Sequence, residues 1–190
     1  MIKDSGNRTQ YNTGAVRDIQ ENKGRCDLMP LEEIAECYAW FDVDEETIDE
    51  NYMDYIRMIF KGLSEWQRDK TNRLLVGALE NFKRINEDKW ETAEEMFLDV
   101  SLHYKQGAKK YGERNWEKGI PTHSYLDSAI RHLLKFEAGH TDERHDRAFA
   151  WNILGLMWTM NNKPELDDVI VNPIEDEGLA YTEKEELIYG

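Results

Sequence analysis

Apolar residues recur at three- and four-residue intervals along most of the chain between residues 31 and 160, the spacing of helices that bury one face. Pro30 opens the first of them, where the run LEEIAECYAWF brings Leu31, Ile34, Ala35, Tyr38 and Phe41 to one side and sets acids in the first turn, where the helix dipole favours them. A second helix is predicted over about Glu46–Phe60 through Ile48, Tyr52, Tyr55, Ile56 and Ile59. A third runs from a Ser64 cap to Ile85 and carries Leu74, Leu75, Ala78, Leu79 and Phe82. The fourth, Glu91–Tyr111, turns Met96, Phe97, Val100, Tyr104 and Ala108 inward and ends at Gly112, after which Glu113–Pro121 is a loop. The fifth, Tyr125–Ala138, ends at Gly139, and Thr141 caps a sixth that reaches about Met160 with Ala148, Trp151, Leu154 and Trp158 packed inward. Strand signals are nearly absent before the DVIV run at Asp168. The expectation is an all-α bundle of five to six helices in a single domain, residues 1–160. An extended arm over 1–26 precedes the bundle, and an acidic, loosely held tail over 161–190 follows it.

Bulk composition narrows the function classes. No apolar run approaches the roughly 20 residues of a membrane helix, and the opening MIKDSGNRTQYNTG lacks the apolar core of a signal peptide, so a cytoplasmic protein with free thiols at Cys26 and Cys37 is expected. The formal net charge of −15 is unevenly spread. Residues 27–96 carry 8 basic against 19 acidic side chains and residues 161–190 carry 2 against 9, whereas residues 97–135 carry 7 against 4. Such a chain is a poor partner for duplex nucleic acid, which demands extended phosphate neutralisation; a small anion at a local basic site fits better.

That basic island contains GAKKYGERNWEKGI, Gly107–Ile120, in which Lys109, Lys110, Arg114 and Lys118, with Arg131 beyond, are natural phosphate contacts. Trp116 either stacks on a base or anchors the loop. In the next two helices Asp127, Arg131 and Lys135 form a polar stripe with His132 beside it, while His145, Phe149 and Asn152 form a column at i, i+4 and i+7. Only AGHT separates these helices, so they form an antiparallel hairpin that brings His132 to Asp142, Glu143, His145 and Asp146. Carboxylates and histidines at one mouth of a bundle can bind Mg²⁺ or Mn²⁺ and activate water; they equally suit helix-dipole and capping roles. Glu143 is indistinguishable here from a solvated acid. No nucleophile, base and orienter can be assembled from the order of residues, and no glycine-rich phosphate loop is present.

Four blocks in order, TGAVRDIQENKGRCDLMPLE (Thr13–Glu33), GAKKYGERNWEKGIP, YLDSAIRHLLK and DERHDRAFAWN, resemble the phage and prophage family of dATP/dGTP diphosphohydrolase N-terminal domains over about residues 5–160. The resemblance implies an all-α fold similar to MazG-like pyrophosphohydrolases, which cleave nucleoside triphosphates to monophosphate and pyrophosphate with Mg²⁺ or Mn²⁺ and commonly form homo-oligomers. On that footing His132, Asp142, His145 and Asp146 are the expected metal ligands, with His132, His145 and Asp146 catalytic. Lys110, Arg114, Arg131 and Arg147 would hold phosphates, with Asn115 and Trp116 at the sugar or base. Arg17, Lys23 and Arg25 would close over the substrate or, as is expected, pin the arm. The chain departs from the MazG-like pattern of an ExxE pair followed by ExxD: Glu143 and Asp146 can be read as the second pair, but Asp127, His132 and Glu137 do not make the first. The rivals are an HD-type phosphohydrolase that releases triphosphate or phosphate, to which His132 with His145–Asp146 is similar, and a non-catalytic nucleotide-binding or host-interaction protein.

Overall fold

The computed structural model describes residues 8–18, 26–29, 31–38 and 51–171. The expectations placed on Lys23, Arg25, Pro30, Phe41, residues 46–50 and the tail beyond 171 lie outside these residues. The fold is all-α, as the periodicity predicts. Among the described residues the helices are α1 (Leu31–Tyr38), α2 (Tyr52–Asp69), α3 (Asn72–Arg84), α4 (Ala93–Tyr111), α5 (Thr122–Glu137) and α6 (His145–Asn162). Single 3₁₀ turns cover Cys26–Leu28, Asn115–Lys118 and Pro164–Leu166. None of these helices is long and apolar enough to cross a membrane.

α5 and α6 form the central hairpin, with the α1–α2–α3 layer against it and α4 laid along α6. The core runs from Ile56, Phe60 and Leu63 of α2, through Leu75 and Phe82 of α3, to Leu126, Ile130, Phe149, Ile153 and Leu156 of the hairpin. Phe82 joins the layers, its ring centroid 4.2 Å from that of Phe149 and 5.2 Å from that of Phe136. Gly155 lets α5 and α6 close, because a Cβ there would overlap the Tyr125 ring.

Several boundaries differ from those the sequence predicts. The break between the second and third helices falls at Lys70, not at the Gly62–Ser64 stretch. Gly62 lies inside α2, where a Cβ would come 3.3 Å from Leu74 O; it permits close packing on α3 and does not end the helix. Lys70 instead takes a left-handed φ of 55° and is held by its ammonium bonds to Val169 O, 2.7 Å, and Asp167, 3.2 Å. α4 starts later than predicted, with a full capping box between Thr92 and Glu95. Its Phe97, placed inside by periodicity, is 49% exposed.

Gly139 ends α5 as expected, at φ 70°, in a Schellman motif in which Gly139 N bonds to Phe136 O and His140 N to Lys135 O. Thr141 does not cap α6, which begins at His145 with Arg144 at the cap position. On α6 the deepest column is Phe149, Asn152, Ile153 and Leu156, while Trp151, Leu154 and Trp158 are only partly buried. A helix packed by α5, α3 and α4 together buries more than one stripe, so periodicity alone misplaces its inner face. The arm, expected to be extended, contains an antiparallel hairpin of β1 (Arg8–Gln10) and β2 (Val16–Asp18), with Thr9 opposite Arg17. The DVIV run pairs with no described strand. Its Asp168 caps α5 by accepting from His123 N at 3.0 Å.

Candidate metal and phosphate site

A cavity of about 1050 Å³ lies between the β-hairpin, α4, the Gly112–Trp116 loop and the α5–α6 hairpin. Its mouth on one side is the turn joining α5 to α6. His132 on the last turns of α5 and His145 on the first turn of α6 face each other there, Nδ1 to Nδ1 at 3.0 Å. Glu143 Oε1 lies 3.6 Å from each Nδ1, and its side chain is 13% exposed. Asp142 Oδ1 lies 2.8 Å from the other nitrogen of His145, Nε2, so that His145 turns Nδ1 toward His132 and Glu143. Burial, and then the neighbouring His145, hold His132 well below the usual imidazole range, so it is neutral at physiological pH. The hydrogen bond from His145 lowers Asp142 to about 2.

Two imidazole nitrogens and a carboxylate oxygen so placed could together hold a metal ion. Asp142 on the far nitrogen of His145 is the carboxylate that orients a ligating histidine. Of the two ions expected, this donor set suits Mn²⁺; Mg²⁺ takes oxygens almost exclusively.

Asp146 does not join this group, contrary to its expected metal and catalytic roles. It turns to the outer side of α6, where Arg144 grips it at 2.7 and 2.9 Å, Lys89 lies at 3.4 Å and Arg147 N donates at 2.9 Å. Those bonds outweigh its burial and keep it below the usual carboxylate range. Arg147, expected at the phosphates, is paired with Asp99, which also takes Arg144 at 2.7 Å and Trp90 Nε1 at 3.2 Å. Asp146 and Arg147 thus belong to the α4–α6 joint, one and two residues after His145 but roughly 100° and 200° round the helix.

The other predicted contacts divide between wall and scaffold. Arg131 lines the cavity, paired with Asp127, which also accepts from Cys26 N at 2.6 Å. Arg114 stands at the rim, 75% exposed, with Glu117 3.1 Å away. Trp116 forms wall, edge-on to Tyr104 and Trp158 with centroids at 5.8 and 5.0 Å. Lys110 is 8% exposed and committed to Asp18 at 2.7 Å, so it fastens the arm. Asn115 is buried and clamps Val16 as a strand would, accepting from Val16 N at 3.2 Å and donating to Val16 O at 3.0 Å. Neither offers a free group to a sugar or phosphate.

Arg17, Lys135 and His103 complete the cavity. Arg17 forms the floor, donating to Ser124 O at 2.8 Å, Ser128 Oγ at 3.1 Å and Asn152 Oδ1 at 2.7 Å, with its guanidinium over Tyr125 and Trp151. Pinning, the expected role of this arm residue, is what these contacts describe. Lys135 reaches the mouth, 3.6 Å from Asp142. His103 lines the wall beside Trp151, and burial lowers it to about 4, so it is uncharged. A nucleophile, base and acid do line up at the start of α5, Ser124 Oγ to His123 Nε2 at 3.1 Å and His123 Nδ1 to Asp168 Oδ2 at 2.5 Å. Ser124 is sealed at 1% exposure and bonded by Tyr11, so the chain of bonds ties arm, α5 and the segment after α6 together. Glu143 had no periodic signal because it sits in the turn; only its distance from two histidines marks it.

No curated protein matches this chain, and no solved structure does. A family model does match, that of the dATP/dGTP diphosphohydrolase, N-terminal, over residues 83–169. The matched stretch holds α4, the Gly112–Trp116 loop, the α5–α6 hairpin and the whole His132–Glu143–His145 group, but stops short of the Thr13–Glu33 block. Over residues 83–169 this chain is similar to the dATP/dGTP diphosphohydrolase N-terminal family.

Proposed function

We propose that this protein hydrolyses purine deoxynucleoside triphosphates, dATP and dGTP, to the monophosphate and pyrophosphate with Mn²⁺ or Mg²⁺. One observation carries the reading: a cavity large enough for a nucleotide has a metal-ligand group and cations at one end and aromatic walls at the other. Arg131 and Lys135, beside His132, are the phosphate end; Arg114 and Lys109 at the rim take the outer phosphates. Trp116, Tyr104 and Trp151 supply flat apolar surface for a purine. Water attacks the α-phosphorus, the bond to the bridging oxygen breaks, and pyrophosphate leaves with the electron pair. A divalent ion at the histidines would neutralise phosphate charge and acidify the attacking water. Arg17 acts through position, holding Asn152 and Ser128 beneath the substrate.

A second reading, an HD-type phosphohydrolase releasing triphosphate or phosphate, is favoured by the direct apposition of His132 and His145. The test is product analysis by ion-exchange chromatography after incubation with each NTP and dNTP, with Mn²⁺, Mg²⁺ or chelator. Metal-dependent dAMP or dGMP with pyrophosphate is expected. Triphosphate as product would move the chain to the second reading, and no turnover under any condition would leave a nucleotide-binding protein.

The assembly is proposed to be a homo-oligomer through α4. Phe97, Leu98 and Leu102 are exposed on that helix, Leu98 by 71%. On an antiparallel second copy centred between Asp99 and Val100, Phe97 meets Leu102, Leu98 meets Ser101 and Glu94 meets Lys105. That register is self-complementary in both shape and charge.

A further inference from the structure

We infer that His132, Glu143 and His145 form a nitrogen-dominated metal centre that favours a first-row transition ion over Mg²⁺. The inference deepens the proposed function by naming the ion class and the third ligand, and it rests on geometry that is independent of turnover.

The three donor atoms lie 3.0, 3.6 and 3.6 Å apart. Ligands at about 2.1 Å from one ion, set roughly 90–115° apart, are separated by about 3.0–3.5 Å. The atoms are therefore close to their bound spacing without backbone movement.

Three further observations point to an ion. Both imidazoles turn Nδ1, the nitrogen nearer the backbone, toward one point, where Glu143 Oε1 lies 3.6 Å from each. Next, the second nitrogen of His145 is fixed by Asp142, which is itself held by Lys135 at 3.6 Å, so the ring's rotation is locked with Nδ1 inward. Third, His132 and Glu143 line the cavity while His145 is buried behind them, so the ion would have protein on one side and open positions on the other. Three protein ligands with an open side is the pattern of a catalytic site, whereas structural sites are closed.

Ion preference follows from the donors. Mg²⁺ gives up its water reluctantly and takes carboxylate and phosphate oxygens in near-octahedral geometry. Imidazole suits Zn²⁺ and the later first-row ions, and affinity for such a site rises from Mn²⁺ to Co²⁺. Asp146, which would add a hard oxygen, is occupied by Arg144 and Lys89 on the other side of α6. With one carboxylate against two imidazoles, the described residues give Mg²⁺ a single hard donor, and the rest of its shell would be water and substrate phosphate.

The experiment is calorimetric titration of chelator-treated full-length protein with Mn²⁺, Co²⁺, Zn²⁺ and Mg²⁺ separately, alongside the visible spectrum of the Co²⁺ form. One transition ion per chain, Co²⁺ bands of a low-coordinate site, and Mg²⁺ bound at least about 100-fold more weakly than Mn²⁺ are expected. Glu143→Gln, which keeps the side chain's shape, should weaken Co²⁺ and alter its spectrum. Asp142→Asn should weaken it by about 10–100-fold with the spectrum retained, since it acts through His145. Circular dichroism checks that both variants are folded.

Equal affinity for Mg²⁺ and Mn²⁺, an octahedral Co²⁺ spectrum, or wild-type binding by Glu143→Gln would overturn the site. Ion binding as expected without nucleotide turnover would leave the site standing and sink the proposed function. Full turnover in a protein whose Glu143→Gln and His132→Ala variants bind Co²⁺ as wild type does would do the reverse.

Discussion

Glu137 sits at the end of α5 with both carboxyl oxygens 3.2 Å from the Tyr52 hydroxyl, and burial raises it to about 7. A carboxyl raised above its unfolded value binds a proton more tightly when folded, so its stabilising contribution is complete below about pH 4.5 and lost as pH rises through about 7. Glu137→Gln should remove this dependence and raise stability at pH 8 by on the order of 2 kcal/mol, read from denaturant midpoints at pH 5 and pH 8. An equal gain at both pH values would point to packing and not to charge. His103 works in the opposite direction: lowered to about 4 by burial, its contribution is present above about pH 6.5 and falls away as pH drops toward 4. At Arg114, exposed and paired among the described residues with Glu117, Ala should raise KM for a triphosphate several-fold with the fold unchanged. Turnover and KM both at wild-type values would take the rim out of substrate binding. Arg17→Ala removes three hydrogen bonds and two stacking contacts from the cavity floor, and should cost about 2–4 kcal/mol in chemical denaturation. Arg17→Lys should recover only part of that loss, because an ammonium cannot reproduce the planar fork.

The α5–α6 hairpin is the element on which the rest depends. Its closeness rests on Gly155, where even a methyl group would meet the Tyr125 ring. Gly155→Ala should therefore destabilise by about 1–3 kcal/mol despite the better helix propensity of Ala. A gain in thermal stability would show that α5 and α6 can separate freely, and would count against a preformed His132–His145 pair. The hairpin was readable in the sequence, from its periodicity and from Gly139, whose left-handed conformation ends α5. Its site was only partly so. His132 and His145 meet as expected; Asp142 stands behind His145 in place of lying beside it as a ligand, and Asp146 is replaced by Glu143. Periodicity gives the face of a helical residue to within a side chain's width, but Asp142 and Glu143 lie in the turn, where individual torsions set each direction. The break expected between Phe60 and Ser64 fails for a related reason: Gly62, inside that gap, makes room for α3 and leaves the helix unbroken.

For the whole molecule, the proposed assembly rests on the exposed stripe on α4. If two copies pair through it, Leu98→Lys should convert the oligomer to monomer in light scattering, because it buries a charge opposite Ser101 and between apolar neighbours. An unchanged mass would mean that another face is used. The sequence by itself determined the all-α class, the α4–α6 succession, the phosphate-suited basic island and the two histidines, because helical period, capping residues and local charge are properties of neighbours along the chain. Tertiary structure alone decided which carboxylate joins the histidines, that Lys110 and Asn115 hold the arm, that Arg17 forms the cavity floor, and that Phe97 faces outward. Each of these depends on contacts between segments far apart in sequence, Arg17 with Asn152 and Asn115 with Val16 among them, and such contacts leave no period or spacing to read.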